Sequence, residues 1–276
     1  MTDAPARRRG RKQRDPEGRM SLGGHLRELR NRVTVAALAV VAGGTVGWIW
    51  YSPLLERLQD PLRQVAHDRG NNLVTLNFGG GGITEPFSIK IKVALFVGLM
   101  IASPVWIYEI WAFVMPGLTK KERKYAAGFL AVSVPLFLGG AYLAWLVLPK
   151  AVVTLLEFTP KGAANLPAAD TYLTFVTRFI LAFGLAFLLP VLMVGLNLAH
   201  VLPGRVMLRA WRVAVFLIFV FAAVMTPTPD PWTMCFMALP MIALFFVAVG
   251  IGLLVDRRRA RSDPYAGLSD DEASPL

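Results

Sequence analysis

The sequence predicts an all-α integral membrane protein with six transmembrane helices and both termini on the cytoplasmic side. Hydrophobic residues make up 55% of the 276 residues, and the mean hydropathy is +0.52. Charged residues make up only 17% of the chain, whereas a soluble domain has about 25%. The apolar residues are concentrated in six long stretches, and this pattern excludes both an ordinary soluble enzyme and a largely disordered chain.

The six apolar stretches lie at about 33–51, 89–115, 125–148, 172–198, 213–225 and 232–255. A helix needs about 20 residues to cross a hydrocarbon core of about 30 Å. Five of the stretches are that long. The fifth has an uninterrupted run of 13 apolar residues, so it spans a membrane only if its flanks join it or the bilayer thins locally.

The basic residues predict the orientation of these spans. Of the 29 Lys and Arg residues, 21 lie in residues 1–32 before the first span, the loops 116–124 and 200–212, and the C-terminal tail. Six spans place all four segments on one side, which the positive-inside rule makes cytoplasmic. The domain prediction is a disordered basic arm at 1–20, a membrane domain at 21–256 and a disordered tail at 257–276. The net charge of +11 therefore records topology and does not indicate nucleic-acid binding.

The loop 52–88 is the longest on the predicted outer side. Its apolar residues recur at helical spacing from Leu54 to Val65, which predicts a short amphipathic helix on the outer surface, broken near Pro61. Prolines inside the second, third, fourth and sixth spans predict kinks; they are Pro104, Pro135, Pro190 and Pro240. Kinked helices suit a curved wall around a concavity, but proline is also common in membrane helices.

Catalytic and metal-binding patterns are absent from the sequence. The three histidines, His25, His67 and His200, fall on different sides or loops, and the chain has one cysteine, Cys235. No HExxH, GxSxG or Walker motif occurs. We therefore expect no cofactor, no metal and no enzymatic site.

Two motifs beside the predicted spans are specific. HLRELRNRV (25–33) precedes the first span, and WAFVMPGLTKKER (111–123) follows the second. Together with FGLAFLLPV (183–191) and TPTPDPWTMCFMALPM (226–241), they resemble the TatC family, the multi-spanning component of twin-arginine protein translocases. The resemblance covers all six spans in order.

The resemblance implies a bundle of six helices shaped like a cupped hand, in a bacterial cell membrane. It implies a receptor for signal peptides that carry an arginine pair on folded cargo proteins. It further implies assembly with single-span subunits of the TatA and TatB type, with lipids and with other copies of the chain, and export driven by the proton-motive force. The alternatives from the residues alone are a small-solute secondary transporter, for which repeated halves are not evident, and an intramembrane enzyme, which lacks its residues.

A receptor for arginines needs carboxylates, because the guanidinium fork pairs with them in bidentate geometry. On the basic cytoplasmic face the membrane-proximal acids are Glu28, Glu122 and Asp256. The resemblance selects Glu28 and Glu122 as the signal-binding pair and adds Arg30, which we expect to orient the first helix. The simpler interpretation of Glu28 is a weak i, i+4 pair with Arg32, which an incoming arginine could exchange.

Five further residues are predicted to matter for the cavity or the structure. Glu109 lies within the second span, where an ionisable residue is costly, and lines the cavity or reaches the interface. The resemblance marks Phe87, Phe113, Pro61 and Asp230, and we expect Asp230 to cap the sixth helix. Many relatives carry a carboxylate just before the proline that Pro190 matches, but here Leu188 and Leu189 stand there. A proton relay at that place is therefore in doubt.

Overall fold

The structure is a computed structural model, and it describes residues 22–68, 76–79, 82–114, 123–157, 167–225 and 231–262. Within these residues the chain forms nine helices and one isolated β-bridge, between Asn77 and Ala168. The helices are α1 (Leu22–Ile49), α2 (Tyr51–Asp68), α3 (Glu85–Ile101), α4 (Ser103–Val114), α5 (Arg123–Glu157), α6 (Ala169–Leu198), α7 (Gly204–Arg209), α8 (Trp211–Met225) and α9 (Pro231–Ser262).

The six predicted apolar stretches all appear as helices in the expected order. α1, α5, α6 and α9 are each long and apolar enough to cross a membrane, and α3 with α4 makes a fifth, bent candidate. α8 has 15 residues, which is about 22 Å of helix, so the fifth stretch is the short one as predicted. The all-helical membrane fold class is confirmed.

The second predicted span is broken into two helices. α3 and α4 meet at 62°, and Pro104 stands in the first turn of α4. Proline has no N–H and its ring clashes with the carbonyl four residues earlier, which favours a break at this place. The break frees the Leu99 carbonyl, which accepts a hydrogen bond from the Trp106 indole N–H at 2.9 Å. A freed carbonyl inside a membrane needs such a partner.

The other predicted proline positions lie inside continuous helices. α5 runs through Pro135, α6 through Pro190 and α9 through Pro240. α6 is central to the core: it packs mainly against α5 and α9, and the fully buried Phe179 and Phe183 lie on it. These helices form the scaffold against which the bent pair is held.

α1 packs closely against α3 through glycines. A side chain at Gly98 would collide with the Val40 carbonyl, and one at Gly43 would come within 2.9 Å of the Gly98 carbonyl oxygen. Small residues let membrane helices approach backbone to backbone. This contact brings the start of α1 next to α4, which matters for the site described below.

The prediction that the outer amphipathic helix breaks at Pro61 is wrong. α2 is continuous from Tyr51 to Asp68 with Pro61 inside it. Its apolar face is buried, with Leu58 and Leu62 in the main core, and the Tyr172 hydroxyl donates a hydrogen bond to the Leu58 carbonyl at 3.1 Å. Packing along this face holds the helix together despite the N–H that proline removes.

The predicted boundary at residue 256 is not the end of a helix. α9 continues to Ser262, because Asp256 and Arg259 are both engaged by the neighbouring segment 197–204. Asp256 accepts hydrogen bonds from the Asn197 side chain at 3.0 Å and from the Gly204 N–H at 2.7 Å. Arg259 donates to the carbonyls of Asn197 and Leu198 in the last turn of α6, where carbonyls lack the regular helical partner.

Candidate functional site

The ends of α1 and α4 form an ion cluster of Glu28, Arg32 and Glu109, here called the Arg32 cluster. Arg32 donates to Glu28 Oε1 from Nη2 at 2.5 Å and from Nε at 3.0 Å. It also donates from Nη1 to Glu109 Oε2 at 3.0 Å. The side chains are 25%, 23% and 16% exposed for Arg32, Glu28 and Glu109 respectively, so the cluster is half-buried.

The Arg32 cluster contains two carboxylates and one guanidinium. Both bonds to Glu28 end on Oε1, and Glu28 Oε2 is buried without a hydrogen-bond partner among the described residues. A full bidentate pair would use both oxygens. The cluster therefore has an excess of negative charge and a free acceptor.

An aromatic pair lies beside the ion cluster. His25, one turn before Glu28, stacks on Phe113, one turn after Glu109, with ring centroids 4.5 Å apart and an interplanar angle of 19°. Residues three or four apart lie on one face of a helix. The two layers therefore fix α1 against α4 in a single register.

The bend between α3 and α4 positions Glu109 in this cluster. The opposite side of α4 is anchored by Trp111, whose indole N–H donates to the buried Ser133 hydroxyl of α5 at 3.1 Å and whose ring stacks on Phe129. With Trp111 held in the core, Glu109 is left facing α1. The carboxylate is thus bound by Arg32, and its place in the cavity or at the interface stays a prediction.

A second ion cluster lies at the other end of the bundle, formed by Lys92, Asp170 and Thr174 and here called the Lys92 cluster. Lys92 Nζ lies 2.5 Å from Asp170 Oδ1 and 3.1 Å from Thr174 Oγ1. The Asp170 N–H donates to Glu85 Oε1 at 3.4 Å. This cluster was not predicted from the sequence, although a lysine within an apolar span was a usable signal.

Similarity to known proteins identifies the family. The family model described as "Sec-independent protein translocase protein (TatC)" matches residues 24–240. The chain belongs to the TatC family.

Relatives of the same description are similar along nearly their whole length. The TatC protein of Xylanimonas cellulosilytica is 49% identical over 88% of this chain and 87% of its own. That of Rothia mucilaginosa is 38% identical over 94% and 88%. That of Aquifex aeolicus is 32% identical over 87% and 98%. The chain is therefore a multi-pass membrane component of a bacterial Sec-independent protein translocase.

Two solved structures share the fold. Both are crystal structures of the twin-arginine translocase receptor TatC, and each superposes on this chain with a TM-score of 0.67. They are 31% and 32% identical to it, and the match covers 83% and 84% of this chain and 99% and 100% of theirs. The TatC fold expected from the sequence motifs is confirmed.

The site residues expected from the TatC resemblance fall into two groups. Glu28 and Phe113 come together at the Arg32 cluster with Glu109, which was predicted from its place within a span, whereas Arg30 on the same helix as Glu28 is exposed. Glu122 lies outside the described residues, so its place beside Glu28 stays a prediction. Among these positions the structure adds Arg32, which the sequence suggested only as a weak helix partner of Glu28.

Phe87 and Pro61 belong to the opposite end. Phe87 is 61% exposed, and its ring meets the edge of Trp48 at 6.1 Å. Lys90 Nζ lies 4.3 Å from the centre of the same Trp48 ring, which is a cation–π contact. Burial raises the pKa of the neighbouring Tyr51 hydroxyl, because the phenolate form is disfavoured away from water.

Two predictions concern other parts of the TatC sequence pattern. Asp230 lies outside the described residues, so its role as a helix cap stays untested. Leu188, one of the two leucines before Pro190, packs against the cluster around Trp111 and Phe129. The position is thus an ordinary packing position in this chain. Asp256, the third membrane-proximal acid, serves the contact between α6, α7 and α9.

Proposed function

We propose that this TatC-family chain is the receptor and scaffold subunit that binds twin-arginine signal peptides of folded cargo. Glu28 and Glu122 bind the arginine pair by charge-assisted hydrogen bonds, and Arg30 orients the first helix. The observation that supports this most is the excess of carboxylate over guanidinium in the Arg32 cluster. A half-buried, negatively charged site on an otherwise basic face favours a guanidinium ligand.

The apolar part of the signal then enters the membrane bundle. A cavity of about 360 Å³ lies between α5, α6 and α9, with an almost wholly apolar lining that includes Phe129, Val191 and Val247. Phe129 also stacks on Trp111 of α4, so this cavity lies beside the helix that carries Glu109. An apolar segment that follows the arginines is suited to such a lining.

Single-span partners of the TatA and TatB type dock on α8. Among the buried residues α8 contributes Ala222 alone, while Phe216 is 65% and Val224 is 72% exposed. A short helix with exposed apolar side chains on the edge of a bundle offers a packing surface for another membrane helix. We propose that both termini of the chain lie in the cytoplasm. We also propose that the proton-motive force drives cargo export through this assembly.

The test is site-specific photocrosslinking in membranes that contain the full chain. A photoreactive residue at position 29 or 121, next to each proposed carboxylate, should label a twin-arginine signal peptide much more strongly than a twin-lysine peptide. A probe at the exposed position of Glu56, on α2 at the other end, is the matched control and should label neither. Equal labelling by both peptides at positions 29 and 121 would show that the receptor assignment is wrong.

A further inference from the structure

The Arg32 cluster already holds an arginine where the proposed function places a signal arginine. Arg32 is the eleventh residue of α1 and points its guanidinium at Glu28. Three of its five N–H donors are used, two on Glu28 and one on Glu109. Chemically, this guanidinium is the same group as the proposed ligand.

The pairing between Arg32 and Glu28 is incomplete. Two donors converge on Glu28 Oε1, and Glu28 Oε2 is buried without a partner among the described side chains. A buried acceptor left without a donor is unfavourable. A second guanidinium that approached Glu28 in bidentate geometry would supply that donor, provided that Arg32 gave up its position.

Glu109 can hold Arg32 when Arg32 leaves Glu28. Its carboxylate already accepts from Arg32 Nη1 at 3.0 Å, and it is the more buried of the two acids. Arg32 can therefore release Glu28 and remain ion-paired. No buried charge is left alone in the exchange, which would otherwise be strongly unfavourable.

We propose that Arg32 is an internal competitor for the signal arginine: it occupies Glu28 in the free protein, and moves to Glu109 alone when a signal guanidinium binds. This proposal rests on the proposed function. Arg32 and Glu109 are thus positioning residues that set the affinity threshold of the site, while Glu28 is the residue that touches the ligand.

Competition of this kind has a definite thermodynamic signature. The apparent affinity equals the intrinsic affinity multiplied by the fraction of protein in which Glu28 is free. Every ligand of Glu28 is weakened by the same factor, so the preference for arginine over lysine is unchanged. The threshold keeps weak basic ligands off the site without altering the order of preference.

The experiment measures the dissociation constants of fluorescent twin-arginine and twin-lysine signal peptides, by anisotropy, for the full chain in nanodiscs. Arg32→Gln should lower the dissociation constants of both peptides by the same factor, about twofold to fivefold for a half-buried ion pair. Arg27→Gln is the matched control: it removes the same charge from an exposed position of α1. The decrease in the dissociation constants must be larger for Arg32→Gln than for Arg27→Gln.

Glu109→Gln tests where Arg32 goes. It should weaken the binding of both peptides, because Arg32 then has Glu28 as its only carboxylate partner in the cluster. In the Arg32→Gln background the same substitution should have no effect. If Glu109→Gln weakens binding equally in both backgrounds, Glu109 contacts the peptide directly and the exchange proposal is wrong.

Arg32→Lys guards against a folding defect in Arg32→Gln, because it keeps the charge and loses the fork. It should bind both peptides with affinities between those of the wild type and Arg32→Gln. Affinities equal to or weaker than the wild type in both Arg32 variants would overturn the exchange. Equal wild-type affinities for the two peptides would instead overturn the proposed receptor function.

Discussion

The two ion clusters at opposite ends of the bundle differ in how the oxygens of their carboxylates are satisfied. Each links a basic residue to an acidic residue 77 or 78 positions away. In the Lys92 cluster the ammonium donates to Asp170 and Thr174, and the Glu85 carboxylate accepts from the Asp170 N–H. The Arg32 cluster shares one guanidinium between two carboxylates and leaves an acceptor free.

The difference separates a structural ion pair from a site that can take a ligand. In the Lys92 cluster the second carboxylate, Glu85, accepts from a backbone N–H. In the Arg32 cluster a buried oxygen of Glu28 has no donor among the described residues, so a further cation that supplies one is favoured there. The geometry adds to this difference between the clusters, since the planar guanidinium of Arg32 can be replaced by a ligand guanidinium of the same shape. Substitutions in the two clusters should therefore have different consequences.

The largest effect is expected from removing the ligand carboxylate. Glu28→Gln should weaken twin-arginine peptide binding by about tenfold to hundredfold, because a hydrogen bond to a charged group contributes about 1.5–3 kcal/mol. Asp170→Asn, the corresponding change in the Lys92 cluster, should leave peptide affinity unchanged. Anisotropy titration measures the peptide affinity of both variants. An equal loss of affinity in both would show that the two clusters do not differ in ligand binding.

A smaller effect is expected at the bend that brings Glu109 to Arg32. Trp106→Phe leaves the Leu99 carbonyl without its indole donor, which should destabilise the protein by about 1–3 kcal/mol. Thermal unfolding in detergent measures this loss. Trp50→Phe is the control, since Trp50 is 62% exposed, and it should unfold like the wild type. A similar change in both variants would mean that the hydrogen bond at the bend does not matter.

The smallest effect is expected from breaking the Lys92 pair. Lys92 and Asp170 are 40% and 38% exposed, so Lys92→Gln should cost about 0.2–1 kcal/mol of stability. The loss should shrink as salt is raised, because salt screens exposed pairs. Unfolding at low and high ionic strength tests this, and a large loss that salt does not change would show that the pair is effectively buried.

Much of the fold follows from local pattern. The length and apolarity of each stretch predicted the helices, and the short fifth stretch became the short α8 because its run of apolar residues is short. Pro104 was predicted to kink its helix, and its missing N–H and ring clash broke it. Pro61 was predicted to break α2 and did not, because burial of Leu58 and Leu62 against the core offsets the lost hydrogen bond.

The site was predictable only in part. Glu28 could be selected because acids are rare on a basic face and because its motif resembles the TatC family. The contact of Arg32 with Glu109 could not, since helical periodicity relates residues within one helix and says nothing about partners 77 positions apart. The extension of α9 to Ser262 was missed for the same reason, because Asp256 and Arg259 find their partners on another segment.

Sequence alone was sufficient for the membrane class, the order of the apolar helices and the family, since each depends on composition or on contiguous motifs. Tertiary structure decided which charges meet. Close approach of α1 and α3 at Gly43 and Gly98, and the bend before α4, bring Arg32 between two carboxylates. A charge pair is decided by distance in space, and in this chain that distance depends on helix packing.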